Sequence, residues 1–346
     1  MGLFKDRIIK DGRTQIPVWF MRQAGRYHTH YQGIRKKHEF MEMCKTPALA
    51  HEITHGPLDE FNFDAAILFS DLLFPLEQLG MGLSYHSGPP TLDISLESIE
   101  DLKKLKSVQD SSVFYKFQQQ ACQLLRASMP SNKTLLGFVG SPFTLYSYAV
   151  EGAHKGNLNS TKLGLLDGRY QGFVELIFEN LLGEMNMQAE GGADAICLFD
   201  TACGEVDLQL FRRFLLPTIK NITATFKKNH PTKKIIYYSK MTNLDYLKEI
   251  QDDNIDVLGV DWRQNITSIL NELGESYYIQ GNLDPSLLFL PWSELEKEWL
   301  ALWSRVKESK VGPSKWICGL GHGVLPKTPE SNVLSSVKLI HEHMTY

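Results

Sequence analysis

Short, nearly continuous apolar runs recur along the chain, with amphipathic stretches between them. The runs fall at 17–20, 64–69, 134–139, 194–199, 234–239, 256–260, 276–280 and 315–318. Continuous rather than alternating hydrophobicity is the pattern of parallel strands covered on both faces. The clearest helical periodicities lie at about 170–190, 207–228, 242–252, 263–273, 293–308 and 330–344. Eight strands alternating with helices predict an α/β fold, a (β/α)8 TIM-type barrel. A doubly wound open sheet is the competing arrangement, because alternation alone does not separate the two. The stretch 75–133, with Gly80, Gly82, Gly88, Pro89 and Pro90 followed by two helix-like segments, reads as an enlarged second crossover. No long Pro/Gly/Ser linker or internal repeat divides residues 1–346, so one domain is expected.

Composition narrows the partners. Lys and Arg number 36 against 40 Asp and Glu, a formal net charge of −4, and 43% of residues are hydrophobic. That balance argues against a nucleic-acid binder with a strongly basic face, but it leaves room for one concentrated patch. No apolar run approaches the roughly 18 residues of a membrane span. The charged start Met1-Gly-Leu-Phe-Lys-Asp-Arg7 does not read as a secretory signal. Five scattered cysteines (Cys44, Cys122, Cys197, Cys203, Cys318), with no C-x-x-C pair, fit reduced thiols and a cytoplasmic location.

Polar residues gather just after the expected strands. The first run continues into Arg22, Gln23, Ala24, Gly25, Arg26 and Tyr27. The second ends in Ser70-Asp71, the third in Gly140 to Thr144, and the fourth in Asp200-Thr201. The seventh leads to Gly281-Asn282 and the eighth to Gly319-Leu-Gly-His322-Gly323. In a barrel these positions converge on one rim; in isolation, Asp71 or Thr144 would serve equally well as a helix cap. Residues 22–37 hold Arg22, Arg26, Arg35, Lys36 and Lys37 and no acid. Lys36 and Lys37 read as solvated surface. Arg22 and Arg26 follow a buried strand through a Gly-containing turn and are expected in the mouth, where a guanidinium fork suits carboxylate or phosphate. A polyanionic small molecule is the implied ligand. Asp71, between Ile67-Leu-Phe69 and Leu72-Leu-Phe74, needs a buried partner or a functional role.

The stretch Pro17-Val-Trp-Phe-Met-Arg-Gln-Ala-Gly-Arg-Tyr27 closely resembles the amino-terminal signature of the uroporphyrinogen decarboxylase family, and Gly137 to Leu145 resembles its second signature. Phe69-Ser-Asp71, Tyr148 with Glu151-Gly152, Gly281 to Pro285 and Leu320 to Gly323 fit in order, so the likeness spans about residues 5–345. It implies a (β/α)8 barrel, usually a homodimer, that works without a cofactor or metal in haem biosynthesis. The reaction converts the four acetate side chains of uroporphyrinogen III to methyls, releasing CO2. By motif, the implied catalytic positions are Asp71, Arg22 and Arg26. The substrate-binding positions are Arg22, Gln23, Ala24, Gly25, Arg26, Asp71, Tyr148, Thr201 and His322, with Arg35 on a basic rim. The family usually carries Leu-Pro at His28-Thr29 and a Gly-rich turn at Met241-Thr-Asn243, so local loop shape is expected to differ there.

Other readings carry less weight. His51-Glu52-Ile-Thr-His55 matches the H-E-x-x-H zinc pattern, but Gly56-Pro57 is expected to end its helix and no third ligand is evident. A corrinoid-dependent methyltransferase would carry a His-x-Cys zinc site, which this chain lacks. A tetrapyrrole carrier would not need Asp71.

Overall fold

The computed structural model describes residues 12–85, 89–152 and 157–346, with the backbone of Arg7–Ile8; the rest of the amino-terminal segment and Gly88 lie outside the described residues. Seven parallel strands form one sheet: β1 (Ala65–Ile67), β2 (Thr134–Gly140), β3 (Ala195–Asp200), β4 (Lys234–Ser239), β5 (Val257–Gly259), β6 (Tyr278–Leu283) and β7 (Trp316–Leu320). Each pairs only with its neighbours in sequence, from β1 through to β7. A doubly wound sheet would reverse this order at a switch point. No reversal occurs.

The expected first strand is not one of the seven. Residues 17–20 contribute an isolated parallel bridge, Val18 to Cys318. On the β7 side, Cys318 N–H donates to Pro17 O at 2.9 Å. On the other side Asp64 N–H donates to Val18 O at 2.9 Å, but Val18 N–H goes to the Asp64 carboxylate at 2.8 Å. A side chain thus takes the place of a ladder carbonyl, which is why the segment does not extend into a strand. Its side chains nevertheless alternate. Val18 and Phe20 pack in the large cluster between sheet and helices, whereas Trp19 and Met21 join the smaller cluster with Ala65, Leu136, Cys197 and Ile317. β3 divides likewise, Ile196 and Leu198 facing out and Ala195, Cys197 and Phe199 facing in. Two-residue alternation places successive side chains on opposite faces.

The long helices stand close to expectation, at Arg169–Glu190, Trp292–Lys307 and Glu330–His343. The crossover between β1 and β2 is enlarged, holding a short hairpin (Leu83–Ser84 with Thr91–Leu92) and the helix Lys116–Ser128. Two local expectations are corrected. The helix Pro47–Phe61 runs through Gly56-Pro57. Gly56 is where the helix meets His30, since a Cβ there would lie 2.5 Å from the imidazole. Packing of Ile53, Leu58 and Phe61 in the core outweighs the lost bond at Pro57. The expected helix 207–228 is interrupted by a π-turn at Phe211–Leu215 just ahead of Pro217, which lacks an N–H for the regular ladder.

Met241 adopts a left-handed φ of 61° where the resemblance leads one to expect glycine. Met241→Gly is expected to stabilise the protein by about 1 kcal/mol, read as a raised denaturant midpoint. Glu184 is fully buried, accepts from Gln118 Nε2 at 2.7 Å, and burial pushes its carboxyl well above the usual range. A carboxyl whose value is raised on folding loses stability as pH climbs past its unfolded value. Glu184→Gln does not titrate. Its stability relative to wild type is expected to rise from about pH 5 to about pH 8, by at most ~1.4 kcal/mol per unit; urea melts at both pH values that show no trend would refute this.

Candidate active site

The carboxyl ends of the strands open onto a cavity of about 980 Å³. Met21, Arg22, Ala24, Gly25 and Arg26 enter it from the turn after residues 17–20. Arg22 sits at φ 62°, a left-handed conformation costing roughly 1–2 kcal/mol for a residue with a Cβ. Its side chain then passes over Gly323, where a Cβ would lie 2.5 Å from Arg22 Cδ. The turn is tied down by its neighbour. Gln23 Nε2 donates to Ala65 O at 2.9 Å, and Tyr27 O–H donates to Gln23 O at 2.7 Å. The Gln23 side chain is buried and faces β1, and the residue is not among those lining the cavity. Ala24, Gly25 and Arg26 do line it, as does Arg35 beside His38 and Phe40. At the departure from the family pattern, His28 is fully buried and bonds Glu60 at 2.8 Å.

Asp71, after β1, is buried at 9% exposure. Its Oδ1 accepts from Leu73 N–H at 2.7 Å and its Oδ2 from Tyr85 O–H at 2.5 Å. Burial raises its carboxyl, and these two bonds oppose the rise. Tyr148, on the helix Pro142–Glu151, faces the same space, and burial raises its phenol. Thr201 follows β3 and also lines the cavity. The residue before it, Asp200, is fully buried behind the wall, accepts from Thr144 Oγ1 at 2.9 Å and from Tyr237 O–H at 3.0 Å, and is pushed up to about 6 by burial.

His322 completes the ring from the loop after β7. It stacks on Tyr238 with ring centroids 6.0 Å apart. Tyr238 O–H donates to Gly321 O at 2.8 Å, which leaves the phenol oxygen to accept from His322 Nδ1 at 3.3 Å. That tautomer turns the Nε2 lone pair outward. Burial, then the charges of Arg22, Lys240 and Arg263, push the imidazole down to about 3, so it is neutral at ordinary pH.

Arg22 is accessible because it faces the cavity, yet the protein packed around it lowers its basicity, with Arg26 acting in the same sense. Among the described residues, no carboxylate pairs with Arg22, Arg26 or Arg35. The wall between these charges is apolar, with Ile67, Leu72, Phe138 and Phe199. Sequence reasoning missed Tyr85, which sits in the crossover where no motif points.

The alternative zinc pattern lies elsewhere. His51 bonds Ser128 Oγ at 2.8 Å and His55 bonds Asp59 at 3.0 Å, and among the described residues no group of three His, Cys, Asp or Glu side chains is placed to hold a metal ion.

A parallel α/β protein whose strand ends deliver unpaired guanidiniums and one buried carboxylate to an apolar-walled cavity belongs to the class that takes polycarboxylate small molecules. More narrowly, the chain belongs to the uroporphyrinogen decarboxylase family, whose model, described as Uroporphyrinogen decarboxylase (URO-D), matches residues 9–343. It is 38% identical over 333 residues to a uroporphyrinogen decarboxylase of Geotalea daltonii, covering 94% of both chains. It is 34% identical over 330 residues to that of Geobacter sulfurreducens, again with 94% of each covered. In fold it is similar to a methyltransferase from Methanosarcina mazei, with TM-score 0.72 and 15% identity over 95% of this chain and 94% of that one. It is also similar to a B12-independent methionine synthase from Shewanella sp. W3-18-1, with TM-score 0.54 and 12% identity over 86% and 89%.

Gly323→Ala is expected to displace Arg22 while leaving the fold intact. Loss of its placement should lower kcat/KM by about tenfold or more; an unchanged value with wild-type stability would remove Arg22 from the machinery.

Proposed function

We propose that this chain decarboxylates the four acetate side chains of uroporphyrinogen III, giving coproporphyrinogen III and CO2 in haem biosynthesis. The observation that carries the reading is the set of three cavity-facing guanidiniums, Arg22, Arg26 and Arg35, with no carboxylate partner among the described residues. A ligand with eight carboxylates supplies the missing charge. Family membership supports the same substrate.

The chemistry needs an electron sink, and a pyrrole is its own. Protonation of the ring carbon beside the acetate-bearing carbon makes a cation. The bond to the carboxyl then breaks, its electrons form an exocyclic double bond, and CO2 leaves. The methylene takes a proton and the ring carbon returns its own, so each acetate consumes one proton net. Asp71 accepts pyrrole N–H groups and stabilises the transient cation from a low-dielectric position. Arg22 or Arg26 holds the reacting carboxylate. Tyr148 and Thr201 orient side chains by hydrogen bonds. Neutral His322 contributes its outward lone pair as an acceptor rather than a positive charge. Gly25 and Ala24 line the turn between the two arginines without obstructing either.

The reading includes a single (β/α)8 barrel domain in which residues 17–20 form the eighth stave, supported by their backbone bonds to Cys318 and Asp64 and by their alternating side chains. It also includes the homodimer that the resemblance implies and the cytoplasmic location that the scattered cysteines fit. Among the described residues no helix is long and apolar enough to cross a membrane.

Purified protein given reduced uroporphyrinogen III anaerobically in EDTA is expected to yield coproporphyrinogen and CO2. Asp71→Asn should retain substrate binding and lose about 100-fold or more of kcat. Full turnover by that variant would sink the role given to Asp71, and activity abolished by chelation would redirect the reading to a metal.

A further inference from the structure

Asp71 has a second suitor. A carboxylate offers about four lone-pair positions, and one on each oxygen is already taken, by Leu73 N–H on Oδ1 and by Tyr85 O–H on Oδ2. The residue is otherwise only 9% exposed. The cavity therefore presents a capped carboxylate, with Asp71 and Tyr85 both lining it.

The cap is held in place by packing that does not involve its hydroxyl. The Tyr85 ring meets Phe40 edge to face, with centroids 4.7 Å apart at 62°. Phe40 packs in turn on Phe69 at 5.9 Å, in the segment that carries Asp71. Burial and the neighbouring Asp71 charge push the phenol far up, so it stays a neutral O–H donor. A neutral donor on an ionised acceptor makes one of the stronger hydrogen bonds available to a side chain.

We propose that Tyr85 is a positioning residue that competes with the ligand for Asp71: its hydroxyl fills an acceptor position on Oδ2 that an incoming N–H group of the substrate would take. The inference rests on the reading of Asp71 as the acceptor of pyrrole N–H groups. It has two physical consequences. The cap satisfies the buried Oδ2, which Leu73 N–H on Oδ1 does not reach. On binding, one protein hydrogen bond is exchanged for one or more from the ligand, so affinity reports the difference between them and not the full strength of the ligand's bond. A ligand with a single N–H gains little by such an exchange. One presenting several convergent N–H groups gains from each beyond the first. The cost of breaking the cap is the same for either, so only a ligand with several N–H groups offsets it with a surplus.

Tyr85→Phe keeps the ring on Phe40 and removes only the hydroxyl. The variant is compared with wild type by KM and kcat for uroporphyrinogen III, by the inhibition constant of coproporphyrinogen III, and by Tm. The expected result is a fall of about fivefold in both KM and the inhibition constant, with kcat within about twofold and Tm lowered by about 1–3 °C. The inhibition constant of a single-ring pyrrole that displaces the cap should fall by a similar factor, because the bond it must break is the same one. Values of KM and the inhibition constant that stay level, or that rise, overturn the competition, a rise meaning that Tyr85 donates to the ligand instead. A wild type that neither converts nor binds a tetrapyrrole overturns the functional reading and this inference with it, whereas an active wild type with an indifferent Tyr85→Phe overturns only the inference.

Discussion

Like charges held at one mouth are the constraint on which this structure depends. Arg22, Arg26 and Arg35 face the same cavity, and the Arg26 charge already lowers the basicity of Arg22. Like charges that converge on one cavity repel, so their convergence is unfavourable and must be imposed by the surrounding fold. The turn after residues 17–20 imposes it. Its left-handed Arg22, the missing side chain at Gly323 and the inward bond from Gln23 to Ala65 fix where the first guanidinium emerges. Strain at such a position persists only where neighbours over-determine it, and here they include both ends of the sheet.

That arrangement explains why Gln23 has its place in the signature while facing away from the cavity. A resemblance treats a motif as a string, but a left-handed residue rotates the chain beyond it. Arg22 and Arg26 reach the mouth; the Gln23 side chain between them turns to β1 and acts as a strut. Asp64 has a comparable role deeper in the fold, giving its carboxylate to Val18 N–H where a ladder carbonyl is expected. Both residues trade possible chemistry for the rigidity that aligned charges require.

Much of the frame was legible because it follows local rules. The apolar runs at 134–139, 194–199 and 234–239 became β2, β3 and β4, and the periodicity over 170–190 became the helix Arg169–Glu190. The elements that escaped depend on contacts distant in sequence. Residues 17–20 are apolar enough for a strand, yet pairing was decided by a side chain 46 positions away. Gly56-Pro57 reads as a helix end until His30 is packed against it. The conjunction of Arg22, Arg26 and Asp71 in the sequence came from position after strands and from resemblance together. Tyr85 had neither signal, since only the folded crossover brings it to Asp71.

The cations also couple binding to proton chemistry. His322 is neutral because burial and three positive neighbours, Arg22, Lys240 and Arg263, disfavour its charged form. A polycarboxylate ligand places negative charge among those same neighbours, and an opposite charge within about 4–6 Å favours protonation. The basicity of His322 therefore rises with occupancy of the site, as does that of Arg22. Asp71 moves the opposite way: donors from the ligand stabilise its ionised form against the burial that raises it. Binding thus separates the two groups electrostatically, making the carboxylate a firmer anion and the imidazole a better proton acceptor. A site that consumes a proton for each carboxyl lost, as the proposed reaction does, gains from this ordering, because the buried carboxylate stays negative while proton-binding capacity develops at the imidazole.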